Sequence, residues 1–200
     1  RIAPGKNAFL LTGYTVLTPF VVWVWEKKRP ALWDFLMAAV CFTGMGMASL
    51  SGELTLGFGE AITIFSGLFY ALHIVCSARE AQDRDPLALT MVQMTTIAVI
   101  SLAGALLFST WPGKLSGSTW ANLAYLSIIC SGVCFLLQTV GQKYTTATEA
   151  ALLLPFESVF AAVIAALLGE EMFPREIAGY CLMFLAAVMS QIRPGNKTQQ

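Results

Sequence analysis

Long apolar runs separated by short polar turns make up almost the whole chain. Seven of these runs, at 8–25, 33–50, 61–77, 88–108, 120–140, 150–168 and 177–192, are long enough to cross a bilayer, which takes about 17–25 residues per helix. The last is short and borrows residues from the turn before it. The runs are continuous and lack the alternation of a membrane barrel. A backbone in lipid has to satisfy its own hydrogen bonds, so each run is predicted to be a helix. The predicted fold class is therefore all-α: a polytopic helical bundle integral to the membrane.

The turns support these boundaries. They carry Glu26 to Pro30, Ser51-Gly52-Glu53, Arg79 to Pro86, Trp111 to Lys114, Gly141 to Thr148 and Gly169 to Glu176. Trp23, Trp25, Trp33, Trp111 and Trp120 all fall at run ends, where the interfacial aromatic belt lies.

Composition excludes a soluble domain. Hydrophobic residues make up 56% and charged residues 12% of the chain, with a mean hydropathy of +0.68. A soluble domain carries about 25% charged residues. Net charge is zero, so nothing here attracts nucleic acid. Cys41, Cys76, Cys130, Cys134 and Cys181 lie within apolar runs, without CxxC spacing or a nearby His. They predict neither a zinc site nor a disulfide framework; Cys130 and Cys134 are expected to be small packing residues. No cofactor or metal is expected.

The basic residues set an orientation. Lys27, Lys28, Arg29, Arg79, Arg84, Lys143, Arg193 and Lys197 fall on one side, and Arg1, Lys6, Lys114 and Arg175 on the other. The positive-inside rule places the C-terminus in the cytoplasm. A weak repeat is also visible. Residues 8–50 read as helix, turn with Glu26 and Pro30, and helix; residues 150–192 read the same way, with Glu170 and Pro174. Three runs lie between them, so the two pairs enter the membrane from opposite faces, the pattern of an inverted-repeat transporter.

Several stretches resemble the EamA-type family of the drug/metabolite transporter superfamily. They are Gln138-Thr139-Val140-Gly141-Gln142-Lys143-Tyr144-Thr145, then Ala150-Ala151-Leu152-Leu153-Leu154-Pro155-Phe156-Glu157-Ser158-Val159, and Gly169-Glu170-Glu171. Ala8 to Tyr14 with Pro19, and Ser66-Gly67-Leu68-Phe69-Tyr70-Ala71-Leu72-His73, resemble it too. The resemblance implies a ten-helix fold of two inverted five-helix repeats, of which this chain would hold the fourth to the tenth helix. Residues 1–50 would then close the first repeat, 57–193 form the second, and 194–200 make a cytoplasmic tail. It also implies a bacterial inner-membrane location, and that this piece alone would not transport. Where the family often has Glu-Pro, this chain has Glu157-Ser158, with Pro155 three residues before Ser158, so any helix break is expected to be shifted.

Glu157 is the sharpest candidate for function. It would lie about 3 Å from the centre of its run, where a carboxylate costs roughly 2.5 kcal/mol or more, so it should face a cavity or a partner. A carboxyl that binds and releases a proton is what a proton-coupled exporter needs. The competing reading is a carboxyl that locks helix packing through hydrogen bonds. His73, Gln93 and Gln138 fall in the cytoplasmic half, lining a vestibule or bonding helix to helix. Tyr14, with Thr12, Thr15 and Thr18, forms a polar stripe, and Tyr70 shares a face with His73. Aromatic and hydroxyl groups of this kind suit a small amphipathic or aromatic solute.

The expected function is secondary transport of a small metabolite or drug by alternating access, in the direction of export, driven by coupling to protons or by exchange of solutes, with the lipid bilayer as solvent. No Walker A motif is present, so ATP is not hydrolysed by that route. A non-transporting sensor or assembly subunit is one alternative, and a membrane-embedded transferase a weaker one. Substrate and oligomeric state are not legible in the sequence.

Overall fold

The apolar runs fold as helices. The computed structural model describes residues 4–27, 29–49, 57–108, 115–169 and 171–192. Lys28, Glu170, Trp111, Lys197 and the 194–200 tail, all used above, lie outside the described residues, as does the side chain of Ala165. Among the described residues there are ten α-helices and no strand. They are α1 (Pro4–Thr12), α2 (Tyr14–Glu26), α3 (Leu32–Ser49), α4 (Phe58–Asp83), α5 (Pro86–Phe108), α6 (Gly117–Tyr125), α7 (Cys134–Lys143), α8 (Ala147–Leu153), α9 (Phe156–Leu167) and α10 (Pro174–Gln191). A π-helical segment, Leu126–Val133, joins α6 to α7. Wide π turns of this kind often occur at functional positions.

Six stretches are long and apolar enough to span a bilayer: Asn7–Trp25, Leu32–Ser49, Phe58–Asp83, Pro86–Phe108, Gly117–Lys143 and Ala147–Ile164. The protein is therefore a multi-pass integral membrane protein. The seventh predicted run is α10, whose ends carry Arg175, Glu176 and Gln191 and so shorten its apolar stretch.

Acidic side chains start many of these helices. Asp34 Oδ2 accepts the Ala31 N–H at 3.0 Å, Glu60 Oε2 that of Gly57 at 3.0 Å, and Asp85 Oδ2 that of Ala88 at 3.2 Å. Glu149 Oε2 accepts from Thr146 at 2.9 Å within a capping box, and Glu176 Oε2 from Phe173 at 3.0 Å. Each bond satisfies a backbone donor that the helix start leaves over. Lys27 ends α2 in the left-handed region at φ 56°.

The chain divides into two compact units, Arg1–Cys76 with Thr146–Gln200, and Ser77–Thr145. In the first, α3 and α10 make the most extensive helix pair, and α8 packs on α2. The α3–α10 pair is antiparallel: Trp33 near the start of α3 donates its Nε1–H to the Met189 carbonyl near the end of α10, at 3.0 Å. The pair closes on glycine. A Cβ on Gly44 would lie 2.6 Å from the Gly179 carbonyl oxygen, and one on Gly179 would lie 2.5 Å from that of Gly44. Around them Met37, Ala38, Cys41, Met45, Leu152, Met183 and Ala186 form the buried core.

Two hairpins of this unit share one register. Helices α3 and α10 are each 18 residues long. The spacing from Tyr14 to Leu32 equals that from Phe156 to Pro174, and Asp34 and Glu176 cap at matching positions. The predicted repeat thus has a backbone counterpart, down to a break in the first helix of each hairpin.

In the second unit, α5 and α7 are apolar on the outside and polar where they are buried. Thr90 is the only buried residue of α5, and Thr139 and Gln142 are the only ones of α7. In a bilayer this is the stable arrangement, because lipid solvates apolar side chains and polar groups pack inward. Cys41 is buried, whereas Cys130 and Cys134 are exposed, which differs from the packing role expected of them.

Candidate functional site

The candidate site lies where the two matched hairpins break. Between α1 and α2 the Gly13 N–H donates to Leu10 O at 3.2 Å, and Val16 N–H to Gly13 O at 3.1 Å. Both are three-residue turns that tighten the helix locally. Between α8 and α9 the same happens around Pro155, which has no N–H to continue the ladder. There the Glu157 N–H donates to Leu154 O at 3.1 Å, and Ser158 N–H to Pro155 O at 3.0 Å. The break thus falls at Pro155, before Glu157 rather than after it.

Tyr14 opens α2 directly after the first break and is buried. Glu157 lies in the first turn of α9 directly after the second, with its side chain exposed. Helix α4 supplies the third wall. Its Gly67 fits against the first break, where a Cβ would meet Leu11 O at 3.3 Å. Thr63 Oγ1 donates to Asn7 Oδ1 at 2.8 Å and fixes α4 against α1. One turn beyond Gly67, the Tyr70 ring meets Tyr14 edge-on at 4.8 Å, a favoured aromatic geometry. The His73 ring lies parallel to Tyr70 at 6.1 Å.

Four of the six predicted site residues, Tyr14, Tyr70, His73 and Glu157, therefore gather in one unit. Gln93 and Gln138 belong to the other. Gln93 Nε2 donates to Ser77 Oγ at 2.9 Å and ties α5 to α4, the bonding reading of that residue. Gln138 is half-buried on α7. The threonine stripe is already committed: Thr12, Thr15 and Thr18 donate to the carbonyls of Ala8, Thr12 and Tyr14 at 2.8, 2.9 and 2.7 Å. Their hydroxyl protons serve their own helix.

Glu157 differs from the other acidic residues in first turns. Asp34, Glu60, Glu149 and Glu176 each accept a backbone N–H. Among the described residues, the Glu157 carboxylate has no side-chain hydrogen bond or ion pair, and no cluster of His, Cys, Asp and Glu could hold a metal ion.

Two features escaped the sequence reading. Gly179, half of the glycine contact, lies in a run that reads as ordinary apolar helix. Gln142 is 2% exposed, and neither of its amide atoms has a partner among the described residues. It fell in a predicted turn because the apolar run ends at Val140, while the helix continues to Lys143.

The EamA-like transporter family matches residues 57–191. An uncharacterized transporter of Archaeoglobus fulgidus is 26% identical over 186 residues, covering 92% of this chain and 59% of its own length. A second uncharacterized transporter from that organism is 37% identical over 76 residues, covering 38% of this chain and 26% of its own length. The chain thus spans less than two thirds of these relatives. A solved crystal structure matches 96% of this chain and 68% of its own, with a TM-score of 0.77 at 16% identity, and so shares the fold. By the extent and placement of the family match, the chain belongs to the EamA-like transporter family.

Proposed function

We propose that the chain forms part of a proton-coupled secondary carrier that exports a small amphipathic or aromatic metabolite by alternating access. Residues 1–50 complete a first repeat and 57–193 form the second, with the C-terminus in the cytoplasm. The observation that carries this reading is Glu157: a carboxylate just after a helix break in a membrane span, exposed and bonded to no other described side chain or backbone group. A carboxylate at membrane depth is costly unless it has work to do, and broken helices at a repeat interface are where carriers bind solutes and coupling ions.

The aromatic groups give the site its solute class. Tyr14 and Tyr70 pair edge-to-face beside the first break, in the same unit as Glu157, and aromatic and hydroxyl groups of this kind suit a flat or partly apolar solute with one polar end. In one half of the cycle Glu157 holds a proton; in the other it holds the solute, so that each displaces the other. The Gly44–Gly179 contact supplies a close, smooth crossing about which the repeats rock.

Flux separates a carrier from a sensor. Liposomes holding the whole carrier of which this chain forms part, preloaded with unlabelled aromatic or amphipathic metabolites, should accumulate the labelled counterpart by exchange. Saturable binding without any exchange, across a panel of such solutes, would refute transport.

A further inference from the structure

The matched hairpins provide an internal control for each end of the α3–α10 pair. At one end Trp33, in the first turn of α3, packs against the core and bonds to Met189 O. By the shared register the corresponding residues at the other end are Arg175 and Met47. There a guanidinium replaces the indole, and a cavity of about 440 Å³ opens between Phe9, Phe42, Thr43, Gly46, Met47 and Arg175.

The walls of this open groove are mostly apolar. The Phe9 and Phe42 rings stack at 4.6 Å. Gly46 lets Phe9 lie flat, because a Cβ there would already meet the ring at 3.0 Å. Arg175 sits beside Pro174 at the polar margin of α10 and makes no ion pair or hydrogen bond among the described residues. Two carboxylates flank it in the chain. Glu171 is exposed, and Glu176 has one oxygen committed to the Phe173 N–H.

We propose that this groove docks a membrane phospholipid with a zwitterionic, ammonium-bearing headgroup. The phosphate meets the Arg175 guanidinium, whose paired donors match phosphate oxygens. An acyl chain lies along Phe9, Phe42 and Met47. The carboxylates of Glu171 and Glu176 favour the ammonium and disfavour a headgroup of net negative charge. Free phosphate would meet the guanidinium but leave the apolar walls uncovered.

Native mass spectrometry of the purified protein, mixed with equal amounts of phosphatidylethanolamine and phosphatidylglycerol, tests the assignment. One phosphatidylethanolamine should be retained in preference. Arg175→Gln, at an exposed position, should lower its occupancy about tenfold, the worth of one charge-assisted contact. Thr43→Trp fills the groove, keeps the guanidinium, and should displace the lipid as well; circular dichroism confirms that both variants fold. Equal retention by Arg175→Gln and the native protein would overturn the proposal. So would preference for phosphatidylglycerol, or displacement of the lipid by millimolar inorganic phosphate.

Discussion

Gly44 and Gly179 approach so closely across the α3–α10 crossing that a Cβ on either would collide with the carbonyl oxygen of the other, at 2.6 and 2.5 Å. Both obstacles are backbone and cannot swing aside. Gly179→Ala should therefore push the helices apart and destabilise the protein by about 1–3 kcal/mol, the usual range for overpacking. Gly104→Ala, where nothing lies within 4 Å, should hold or slightly raise the melting temperature in detergent, since Ala favours the helix interior over Gly. Equal melting of the two variants would show that the crossing is looser than described.

Tyr14 and Tyr70 meet edge-to-face at 4.8 Å, which predicts a coupling of about 0.5–1.5 kcal/mol beyond the area they bury. A double-mutant cycle with Tyr14→Leu and Tyr70→Leu, read by thermal unfolding, measures it. Each single variant should also weaken solute exchange more than Tyr125→Leu, an exposed tyrosine of the other unit. Additive stabilities with unchanged exchange would remove the aromatic pair from the site.

Pro155 breaks the ladder between α8 and α9. Pro155→Ala restores an N–H for the Ala151 carbonyl and lets the two helices fuse. Thermal stability should hold or rise, because proline inside a helix costs about 3 kcal/mol, while solute exchange falls. Exchange at the native rate from a stabilised variant would separate the break from function.

The Trp33 Nε1–H bond to Met189 O should be worth about 0.5–1.5 kcal/mol. Trp33→Phe keeps most of the apolar contact and removes the donor. Its melting temperature should fall, whereas Trp120→Phe, at a 61% exposed indole, should melt as the native protein does.

Much of this architecture is readable in the sequence because lipid imposes one dominant rule. Apolar length marks each helix, and the turn chemistry of Glu26 to Pro30 and Gly169 to Glu176 already hinted at the matched hairpins. The capping carboxylates Asp34 and Glu176 carry that repeat more sharply than the turns do, but only because their backbone partners, Ala31 and Phe173, are known. Pro155 showed where one break would fall. Gly13 gave less warning, because a glycine in an apolar run is compatible with an unbroken helix.

The candidate site was legible as a set of residues and not as an arrangement. Tyr14, Tyr70, His73 and Glu157 stand out as polar groups in apolar runs, yet their convergence depends on helix packing that no local pattern encodes. Gln93 has the same chemistry, and its Nε2 donates to Ser77 in the other unit. The threonines around Tyr14 look available in the sequence and are used up by their own backbone. Gln142 was hidden by a boundary, since polar residues in the last turn of a membrane helix resemble the loop that follows.

The central claim is that Glu157 exchanges a proton for solute, and gradient-driven flux in liposomes tests it most directly. With a pH gradient imposed, the whole carrier containing the native chain should drive labelled solute across the membrane. Glu157→Gln should fall to the rate of protein-free vesicles under that gradient while still exchanging solute for solute. Undiminished gradient-driven flux in Glu157→Gln would contradict the coupling role of this carboxylate.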